Sequence, residues 1–541
     1  MSRILLLRHP KWVSRCFFLS IFANKLQVMF VRQKKNKSGS TSVVVVRKDK
    51  GRYKLVKTMG SSSDPQEIDN LSRQGEEWIR RKSGMADMFT DAEGKDRERK
   101  EIERFIDSIE NILVNGDSLI LDRIFDRIGF DKIEDDVFRK LVVARLSCPS
   151  SKAATVEYLK NHFDEDVDLS KIYRYLDKLN HTQQEKVQDI SVRHTRELLG
   201  GNIGVMFYDV TTLYFEADRE DDLRKTGFSK EGRHKNPQII LGLLVSLNGY
   251  PLAYCIHEGN KYEGHTMMPV IEEFVRKYEQ EDFVVVADSG LMNEQNVADL
   301  ERNNYKYIIG ARIKTESTRV TEWILSHSWV DGQMEEYDKG DGRRLLVGYT
   351  DNRARKDSYN REKGVRRLEK AYRNGRLSKE NINRRGYNKF LEMKNKVEVS
   401  INYGKIEEDA VWDGLKGYLT NTELPAEQIY AAYHNLWTVE LAFRIAKSKL
   451  EVRPMFHFTR KRIEAHICIC FVALKVYKEL DRILKLNGIK LSIDKVLRMA
   501  KTVTTMQVRL PLNGQLLSRT MVMKRHKPIE KLFDENFWVS Q

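Results

Sequence analysis

Five short apolar runs between residues 203 and 310 constrain the fold more than any other part of the chain. They lie at 203–209, 238–247, 250–257, 283–288 and 305–310 and are rich in β-branched and aromatic residues, as buried strands are. Asn248-Gly249 separates the second run from the third, which is a strong hairpin signal. Helical stretches at 266–279 and 293–302 precede the fourth and fifth runs. The order predicts an α/β fold with three antiparallel strands, then a helix, a strand, a helix and a strand.

The first and fourth of these runs end in an aspartate. Asp209 closes the first run and Asp288 closes the fourth. Acidic residues at the carboxyl ends of strands lie where open α/β sheets bind their ligands. One such aspartate alone is as often only a turn or helix-cap residue. Two of them, together with a third acid further along the chain, favour a functional site.

The third acid is Glu440, inside a segment with helical periodicity. Residues 425–450 predict one long helix with Pro425 in its first turn. At about 100° per residue, one stripe of this helix carries Tyr433, Trp437, Glu440, Arg444 and Lys447, flanked by Leu436 and Phe443. A glutamate buried among such neighbours must be paired, protonated or bound to a metal. With Asp209 and Asp288, it predicts a metal-bound catalytic site.

The ligand types indicate which metal such a site would hold. Three carboxylates, two on strands and one on a facing helix, can bind two divalent cations about 4 Å apart for in-line attack at phosphorus. Oxygen ligands favour Mg²⁺, with Mn²⁺ as a substitute, over zinc. The histidines form no cluster at metal-ligand spacing, and we assign His257 and His265 hydrogen-bonded structural roles.

The sequences around the three acids resemble the motifs of DDE transposases of bacterial insertion sequences. Tyr208-Asp-Val-Thr-Thr-Leu-Tyr-Phe-Glu216 is similar to the first motif of that family and Ala287-Asp-Ser-Gly290 to the second. The segment from Tyr433 to Lys447 resembles the third, in which Tyr, Arg, Glu and Lys stand at fixed spacing. Tyr433, Glu440 and Lys447 match it, whereas Leu436 occupies the position of the Arg.

Further segments resemble one branch of these transposases, the insertion sequence 4 superfamily of the insertion sequence 1634 type. They are Trp412-Asp-Gly-Leu-Lys-Gly-Tyr-Leu-Thr-Asn421 and Leu450-Glu-Val-Arg-Pro454, and the similarity extends over about residues 29–480. The resemblance implies a ribonuclease-H-like core interrupted by an inserted, mainly β, basic domain and preceded by a mostly helical DNA-binding region. Glu258-Gly-Asn260, with Glu263 and Thr266, resembles a family segment that shapes the active-site loop.

The resemblance also assigns roles to residues. Asp209, Asp288 and Glu440 are the expected catalytic and metal-binding residues, with two Mg²⁺ ions as cofactor. Tyr433 and Lys447 are expected to contact DNA phosphates. Arg444, one turn after Glu440, can supply the contact of the missing Arg, although an ion pair with Glu440 is an equal alternative.

The charge of the chain agrees with a nucleic-acid partner. The formal net charge is +16, as expected of a protein that binds a polyanion. Residues 353–389 hold 14 Lys and Arg against 4 Asp and Glu, with three tyrosines interleaved. A basic run of this kind is either a DNA-binding surface or only a solvated face. The flanking segments 343–350 and 396–402 predict two strands of the inserted domain.

The rest of the chain allows a division into regions. We predict a dispensable extension at 1–28, a basic hairpin at 29–60, a helical DNA-binding region at 61–200, core segments at 201–311 and 412–480 around an insertion at 312–411, and a C-terminal region at 481–541 for dimerisation or DNA contacts. Helical periodicity occurs at 102–114, 137–146, 153–163 and 183–199. The two helices that flank Cys148-Pro-Ser-Ser151 are either a helix-turn-helix that reads transposon ends or part of a plain bundle.

The five cysteines are odd in number and form no CxxC, which indicates reduced thiols in a cytoplasmic protein. The resemblance to transposases of bacterial insertion sequences implies that the protein is bacterial. The apolar segment 16–23 is too short to span a bilayer. The resemblance, together with the three acids and the basic charge, implies a cut-and-paste DNA transposase that acts as a homodimer on double-stranded DNA. The alternatives are a catalytically silent repressor derived from a transposase and a metal-dependent nuclease that does not transpose.

Overall fold

The computed structural model describes residues 29–49, 51–82, 92–179, 181–217, 219–229, 232, 235–291, 293–383, 386–394, 398–453, 455–510 and 513–539. The predicted extension at 1–28 lies outside these residues. The chain divides into two compact units. One comprises the described residues up to Asn111 with Gln507–Leu517, and the other comprises Ile112–Met506 with the described residues from Ser518 onward.

The first unit begins with a three-stranded antiparallel sheet. Its strands are β1 (Met29–Lys35), β2 (Thr41–Asp49) and β3 (Arg52–Ser62), in the order β1-β2-β3, followed by helices α1 (Pro65–Lys82) and α2 (Ala92–Asp107) and by strand β4 (Ile109–Leu113). β2 and β3 pair as in the predicted hairpin, whereas β1 adds a third strand that the prediction did not include. The predicted helix at 102–114 is wrong in its second half, because the alternating burial of Ile109–Leu113 suits a strand with one covered face.

The second unit begins with five helices. They are α3 (Gly116–Ile128), α4 (Asp136–Ser147), α5 (Lys152–Phe163), α6 (Leu169–Lys178) and α7 (His181–Leu198), and they confirm the predicted helices at 137–146, 153–163 and 183–199. The side chains of Asp135, Ser151 and Asp168 accept hydrogen bonds from the first-turn amides of α4, α5 and α6. Such caps fix where each helix starts.

The predicted five strands are all present in the second unit. They are β5 (Val205–Tyr214), β6 (Gln238–Ser246), β7 (Pro251–Glu258), β8 (Val284–Ala287) and β9 (Lys306–Ala311), with α8 (Met267–Tyr278) and α9 (Glu294–Arg302) between the last three. β5, β6 and β7 pair antiparallel, whereas β8 lies parallel to both β5 and β9. This is the predicted strand order, and β6 is buried along its whole length.

The segment between β9 and the C-terminal helices extends the same sheet. It contains α10 (Thr318–Ser326), β10 (Met334–Gly340), β11 (Arg343–Tyr349), α11 (Asp351–Arg373), β12 (Leu391–Lys394), β13 (Glu398–Ile401), α12 (Tyr403–Ala410) and β14 (Leu415–Thr420). The result is an eight-stranded mixed sheet in the order β10-β11-β14-β9-β8-β5-β6-β7, while β12 and β13 pair separately.

The segment 312–411 is therefore not mainly β as predicted. The 23-residue helix α11 forms most of the basic run. Its sequence is rich in Arg, Lys and Glu, which are good helix formers, and its buried Leu368 packs in a small core with Phe390 and Leu391. The predicted strands near 343–350 and 396–402 are present as β11 and β13.

Helices dominate the C-terminal part of the second unit. They are α13 (Ala426–His434), α14 (Trp437–Ser448), α15 (Arg460–Leu486), α16 (Ile493–Ala500) and α17 (Glu535–Val539). Strands β15 (Thr504–Arg509) and β16 (Leu516–Met521) come between α16 and α17 in the chain, and each lies partly in the first unit. The buried helix α15 packs against α3, α4, α6, α7 and α14. Within the described part of the chain, the helices are all too short or too polar to cross a bilayer. Cys148, Cys255, Cys468 and Cys470 carry free thiols.

Candidate active site

Asp209 and Asp288 occupy neighbouring positions on adjacent parallel strands. Tyr208 of β5 pairs with Ala287 of β8, so the two aspartates take the next position on each chain. Adjacent strands lie about 4.8 Å apart. The prediction that Asp209 ends its strand is wrong, because β5 continues to Tyr214 in register with β6. Asp288 does follow the last residue of β8 directly.

The face of the sheet on which Asp209 lies is the face covered by α14. Side chains alternate along a strand, so Asp209 shares a face with Phe207 and Leu213. Both of these belong to the hydrophobic core that contains Val439 and Phe443 of α14. α14 packs against β5 and β6. The helix that carries Glu440 therefore covers the same side of the sheet as Asp209.

Glu440 itself lies in the first turn of α14 and is exposed. The predicted single helix at 425–450 is wrong, since α13 ends at His434 and α14 begins at Trp437. Amides of Leu436 and Thr438 donate to carbonyls three residues earlier, which tightens the backbone between the helices. The break turns the buried face of α14 to Val439, Ala442, Phe443 and Ala446, so the expected burial of Glu440 is also wrong.

Asp288 is held by a tyrosine of the preceding helix. The Tyr433 hydroxyl donates a 2.8 Å hydrogen bond to Oδ1 of Asp288. Partial burial raises the pKa of Asp288, but the bonds from Tyr433 and from the Ser289 amide, with the charge of Lys416, outweigh burial and leave the pKa below its ordinary value. Burial, and then the Asp288 charge, raises the pKa of Tyr433, which keeps the hydroxyl protonated as a donor.

Close packing beneath Tyr433 depends on a glycine. A Cβ at Gly310 of β9 would lie 2.4 Å from the Tyr433 hydroxyl oxygen and 3.0 Å from the Ser289 amide nitrogen. Any larger residue would displace the hydroxyl from its place beside Asp288. Gly310 therefore helps to position Tyr433, a role that the sequence pattern alone did not indicate.

A lysine that sequence reasoning missed lies beside the same tyrosine. The ammonium of Lys416, on β14, lies 5.2 Å from the centre of the Tyr433 ring. Burial lowers the pKa of Lys416, and attraction to Asp288 partly offsets this. Lys416 is inside the segment from Trp412 to Asn421 that resembles the transposase family, and this was the signal that could have found it.

The remaining predicted residues lie apart from this group. Arg444 is exposed on α14, and the ion pairs of the described residues include none between Arg444 and Glu440. Lys447 is half-buried near the end of the helix. Burial and the charge of Lys261 lower the pKa of His257 to about 4, consistent with a neutral structural histidine. His265 packs edge-on against the ring of Tyr262.

The donor set suits a hard divalent cation in part. Asp209 and Asp288 offer carboxylate oxygens at neighbouring positions, which are ligands that Mg²⁺ accepts. Within the described ranges, three His, Cys, Asp or Glu side chains do not come close enough together to hold one ion. In this conformation, therefore, Glu440 does not complete a three-carboxylate site with the two aspartates.

The fold and the site define a class of protein. Two acids at neighbouring strand positions, with a third on a helix over the same face of a mixed α/β sheet, form a candidate site for a ligand of carboxylates. The transposase DDE domain family matches residues 200–475, just over half of the 541 residues. The chain belongs to this family, whose members cleave DNA, transfer its strands and generally use divalent metal ions.

Comparisons with individual proteins add little to the family match. Curated protein sequences give no match. The cryo-EM structure of the piggyBac transposase synaptic complex with hairpin DNA is 11% identical, with a TM-score of 0.37 over 70% of this chain and 70% of that chain. The Mos1 transposase paired-end complex with left transposon end is also 11% identical, with a TM-score of 0.15 over 32% of this chain and 58% of that one. Both scores are too low to carry an argument.

Proposed function

We propose that the protein is a cut-and-paste DNA transposase that cleaves transposon ends and transfers them into target DNA. Asp209, Asp288 and Glu440 are its catalytic carboxylates, on a ribonuclease-H-like core formed by β5–β9 and α14. The observation that carries the proposal is the neighbouring placement of Asp209 and Asp288 on parallel strands inside the family-matched segment. The motifs of the chain support membership of the insertion sequence 4 superfamily, insertion sequence 1634 type.

The proposed cofactor is a pair of Mg²⁺ ions, with Mn²⁺ as a substitute. Asp209, Asp288 and Glu440 would hold them. When bound, such ions favour the deprotonated form of an attacking water or 3′-hydroxyl and offset charge on the leaving oxygen. The chain's own part is to position the carboxylates, and the Tyr433 bond to Asp288 holds that side chain in its ionised form.

DNA contacts are proposed for Tyr433, Arg444 and Lys447. Arg444 is accessible to a phosphate, because it is exposed. The Tyr433 hydroxyl already donates to Asp288, so a phosphate contact from Tyr433 requires that bond to be shared or exchanged. The proposed partners are the terminal inverted repeats, the target DNA and a second copy of the chain that holds the other end. We expect the protein to act in the bacterial cytoplasm, where this DNA lies.

A plasmid assay separates the proposed function from its alternatives. Purified protein is mixed with a supercoiled plasmid that carries the inverted repeats flanking the gene, with and without Mg²⁺. A transposase releases the element and joins it to target DNA only when the metal is present. Binding without cleavage would identify a repressor, and cleavage without joining would identify a nuclease.

The basic helix α11 favours a DNA-binding role over a merely solvated face. Its buried side includes Gly364 and Leu368. The opposite side of the helix exposes a group of cations around the exposed ring of Tyr359. With successive residues about 100° apart around the helix axis, these cations lie within a sector of about 120°. These cations are Arg355, Lys356, Lys363, Arg366, Arg367, Lys370 and Arg373. An aromatic ring among cations is typical of surfaces that follow a nucleic-acid backbone.

Neutralising part of this face is expected to weaken DNA binding for all sequences alike. In the triple variant Lys363→Gln, Arg367→Gln, Lys370→Gln, each lost phosphate contact should lower the slope of log K against log salt by roughly 0.9. Fluorescence anisotropy with a labelled transposon end, at several salt concentrations, measures the slope.

The matched control removes three exposed cations from the other side of the sheet. α8 and α9 belong to the core on the face opposite Asp209, so Arg276→Gln, Lys277→Gln and Arg302→Gln together should leave the slope nearly unchanged. Equal slopes for the α11 variant and the unaltered protein would restore the solvated-face interpretation.

Arg444 is expected to contribute a two-pronged phosphate contact in place of the missing Arg at Leu436. Arg444→Lys should then slow cleavage of a pre-bound end by roughly 10-fold or more, because a point charge cannot replace a bidentate charge-assisted pair worth about 1.5–3 kcal/mol. Single-turnover cleavage of Arg444→Lys and Arg444→Ala measures this. Near-normal rates in both variants would remove Arg444 from the DNA contacts and leave Leu436 as an unexplained departure.

A further inference from the structure

Two cations of the helical region are buried together, and the described residues give them no acidic partner. Arg145, near the end of α4, is 6% exposed, and Lys152, the first residue of α5, is 5% exposed. Neither side chain makes a hydrogen bond or an ion pair with the described residues. A buried charge without compensation is very costly. An arginine cannot escape that cost by losing its proton.

Among the described residues, the groups recorded around these cations are donors and include no carboxylate. His457 and His466 are both at least nine-tenths buried, with ring centres 5.1 Å apart, and the Cys470 sulfur lies 3.7 Å from Nε2 of His466. Burial and mutual repulsion lower the pKa of Lys152 to about 7 and of His457 to about 4. The charged groups that act on Lys152, His457 and His466 are all basic or thiol groups.

Another arginine that acts on this cluster already has its own acidic partner. Arg462, which also repels the proton of His457, forms a two-pronged bond of 2.7 and 2.8 Å with Asp177. That pair neutralises itself and leaves the charge of Arg145 and Lys152 uncompensated. The described residues therefore supply no anion that neutralises Arg145 and Lys152.

The start of α5 adds the positive end of a helix to this cluster. α5 is 12 residues long and begins at Lys152. The Ser151 side chain caps one of its first amides, that of Ala154. Helix N-termini favour oxyanions, because their first amides point outward and the helix dipole is positive there. The side-chain nitrogens of Lys152 and Arg145 are not completely closed off from solvent, so an ion can reach them.

We propose that Lys152, Arg145 and the N-terminus of α5 form a binding site for a phosphate-type oxyanion, separate from the carboxylate site. Arg145 supplies a planar fork that suits two oxygens of a phosphate, and Lys152 supplies a point charge. The neutral histidines supply further donors. The anion is either a free ion or a backbone phosphate of DNA, and the second possibility rests on the proposed function.

The site is tested on the full-length protein without DNA or divalent metal, using inorganic phosphate as the probe. Phosphate should raise the thermal midpoint Tm relative to chloride at the same ionic strength, because a ligand that binds only the folded state stabilises it. A shift of about 2 °C or more is expected at saturating phosphate. Lys152→Met should lose most of the shift, whereas Lys160→Met, at an exposed position of the same helix, should keep it.

Equal Tm values of the unaltered protein in phosphate and chloride would overturn the proposal, even if the Lys152 variant does not fold. A full shift in a folded Lys152→Met variant would overturn it as well. This assay uses no cleavage, so its outcome is independent of whether the protein is a transposase.

A DNA-binding measurement then identifies the source of the anion. If the site receives a DNA phosphate, free phosphate at constant ionic strength should compete with a transposon end, and Lys152→Met should lower the salt slope by roughly 0.9. If the site holds a free ion, the variant should bind the end as the unaltered protein does. Both outcomes retain the site and differ only in its occupant.

Discussion

Asp209→Asn, Asp288→Asn and Glu440→Gln are each expected to lower the rate of DNA cleavage about 1,000-fold or more, while binding of the transposon end stays nearly unchanged. The clamp that these carboxylates are proposed to form is worth several kcal/mol of transition-state stabilisation, and each 1.36 kcal/mol corresponds to about tenfold in rate. DNA affinity comes mainly from phosphate contacts by cations, which these changes leave in place.

Single-turnover cleavage of a labelled end, with anisotropy for binding, checks this expectation. Glu281→Gln is the matched control, because Glu281 is an exposed acid just before β8, at the opposite end of the strand that leads to Asp288. It should cleave normally. Full activity in any one of the three variants would remove that residue from the site, and loss of binding in all three would indicate misfolding.

The core strands could be predicted because their signals are local. Each run is apolar, β-branched and bounded by a turn or a helix, and Asn248-Gly249 specifies the hairpin between β6 and β7. The end of β5 could not be placed this way. An aspartate after an apolar run is usually a terminator, yet Val210–Tyr214 is itself β-branched and aromatic and continues the pairing with β6.

The helix around Glu440 shows a different limit. Between α13 and α14, Asn435 and Leu436 keep right-handed helical dihedrals and only shift to shorter-range bonds. No Gly or Pro marks this change. A small local tightening of the backbone rotates every later side chain about the helix axis. Tyr433 and Glu440 therefore do not share one face, and Glu440 is exposed rather than buried.

The surroundings of Asp288 depend on pairing between distant segments. Lys416 reaches Tyr433 only because β14 pairs with β9, more than 100 residues earlier in the chain. Gly310 matters only because the Tyr433 hydroxyl lies above it. Neither contact leaves a periodic pattern in the sequence. The positions of the two aspartates were accessible to sequence reasoning, whereas the groups that tune them were not.

Glu479→Ala is expected to cost about 3–5 kcal/mol of folding stability, because it removes the acid from a buried charge network. Glu479 of α15 is fully buried. It accepts a 2.6 Å hydrogen bond from the Tyr250 hydroxyl and bonds of 2.6 and 3.0 Å from the Arg482 guanidinium. The buried Lys475 ammonium lies 4.2 Å from the centre of the Tyr250 ring and donates to Thr195. Without Glu479, Arg482 and Arg127, whose Nε lies 3.8 Å from Oε1 of Glu479, would lose the acid that they share.

Acid should remove the same stabilisation from the unaltered protein. Burial raises the pKa of Glu479, but the bonds from Arg482 and Tyr250 outweigh burial and leave the pKa below its ordinary value of 4.5. A carboxyl group whose pKa is lowered by folding stabilises the protein above its ordinary pKa, and this contribution is lost as the pH falls through the folded value. The loss should therefore begin near pH 4.5, and Glu479→Gln should lack this component.

Urea unfolding of the full-length protein, followed by tryptophan fluorescence across this pH range, measures both effects. Asp481→Asn is the control on the same helix, since the ion pair of Asp481 with Lys485 is open to solvent. It should cost about 0.3–0.5 kcal/mol. If Glu479→Ala cost no more than Asp481→Asn, the network would contribute nothing beyond a surface pair. The anchoring of α15 beneath the sheet would then rest on apolar packing alone.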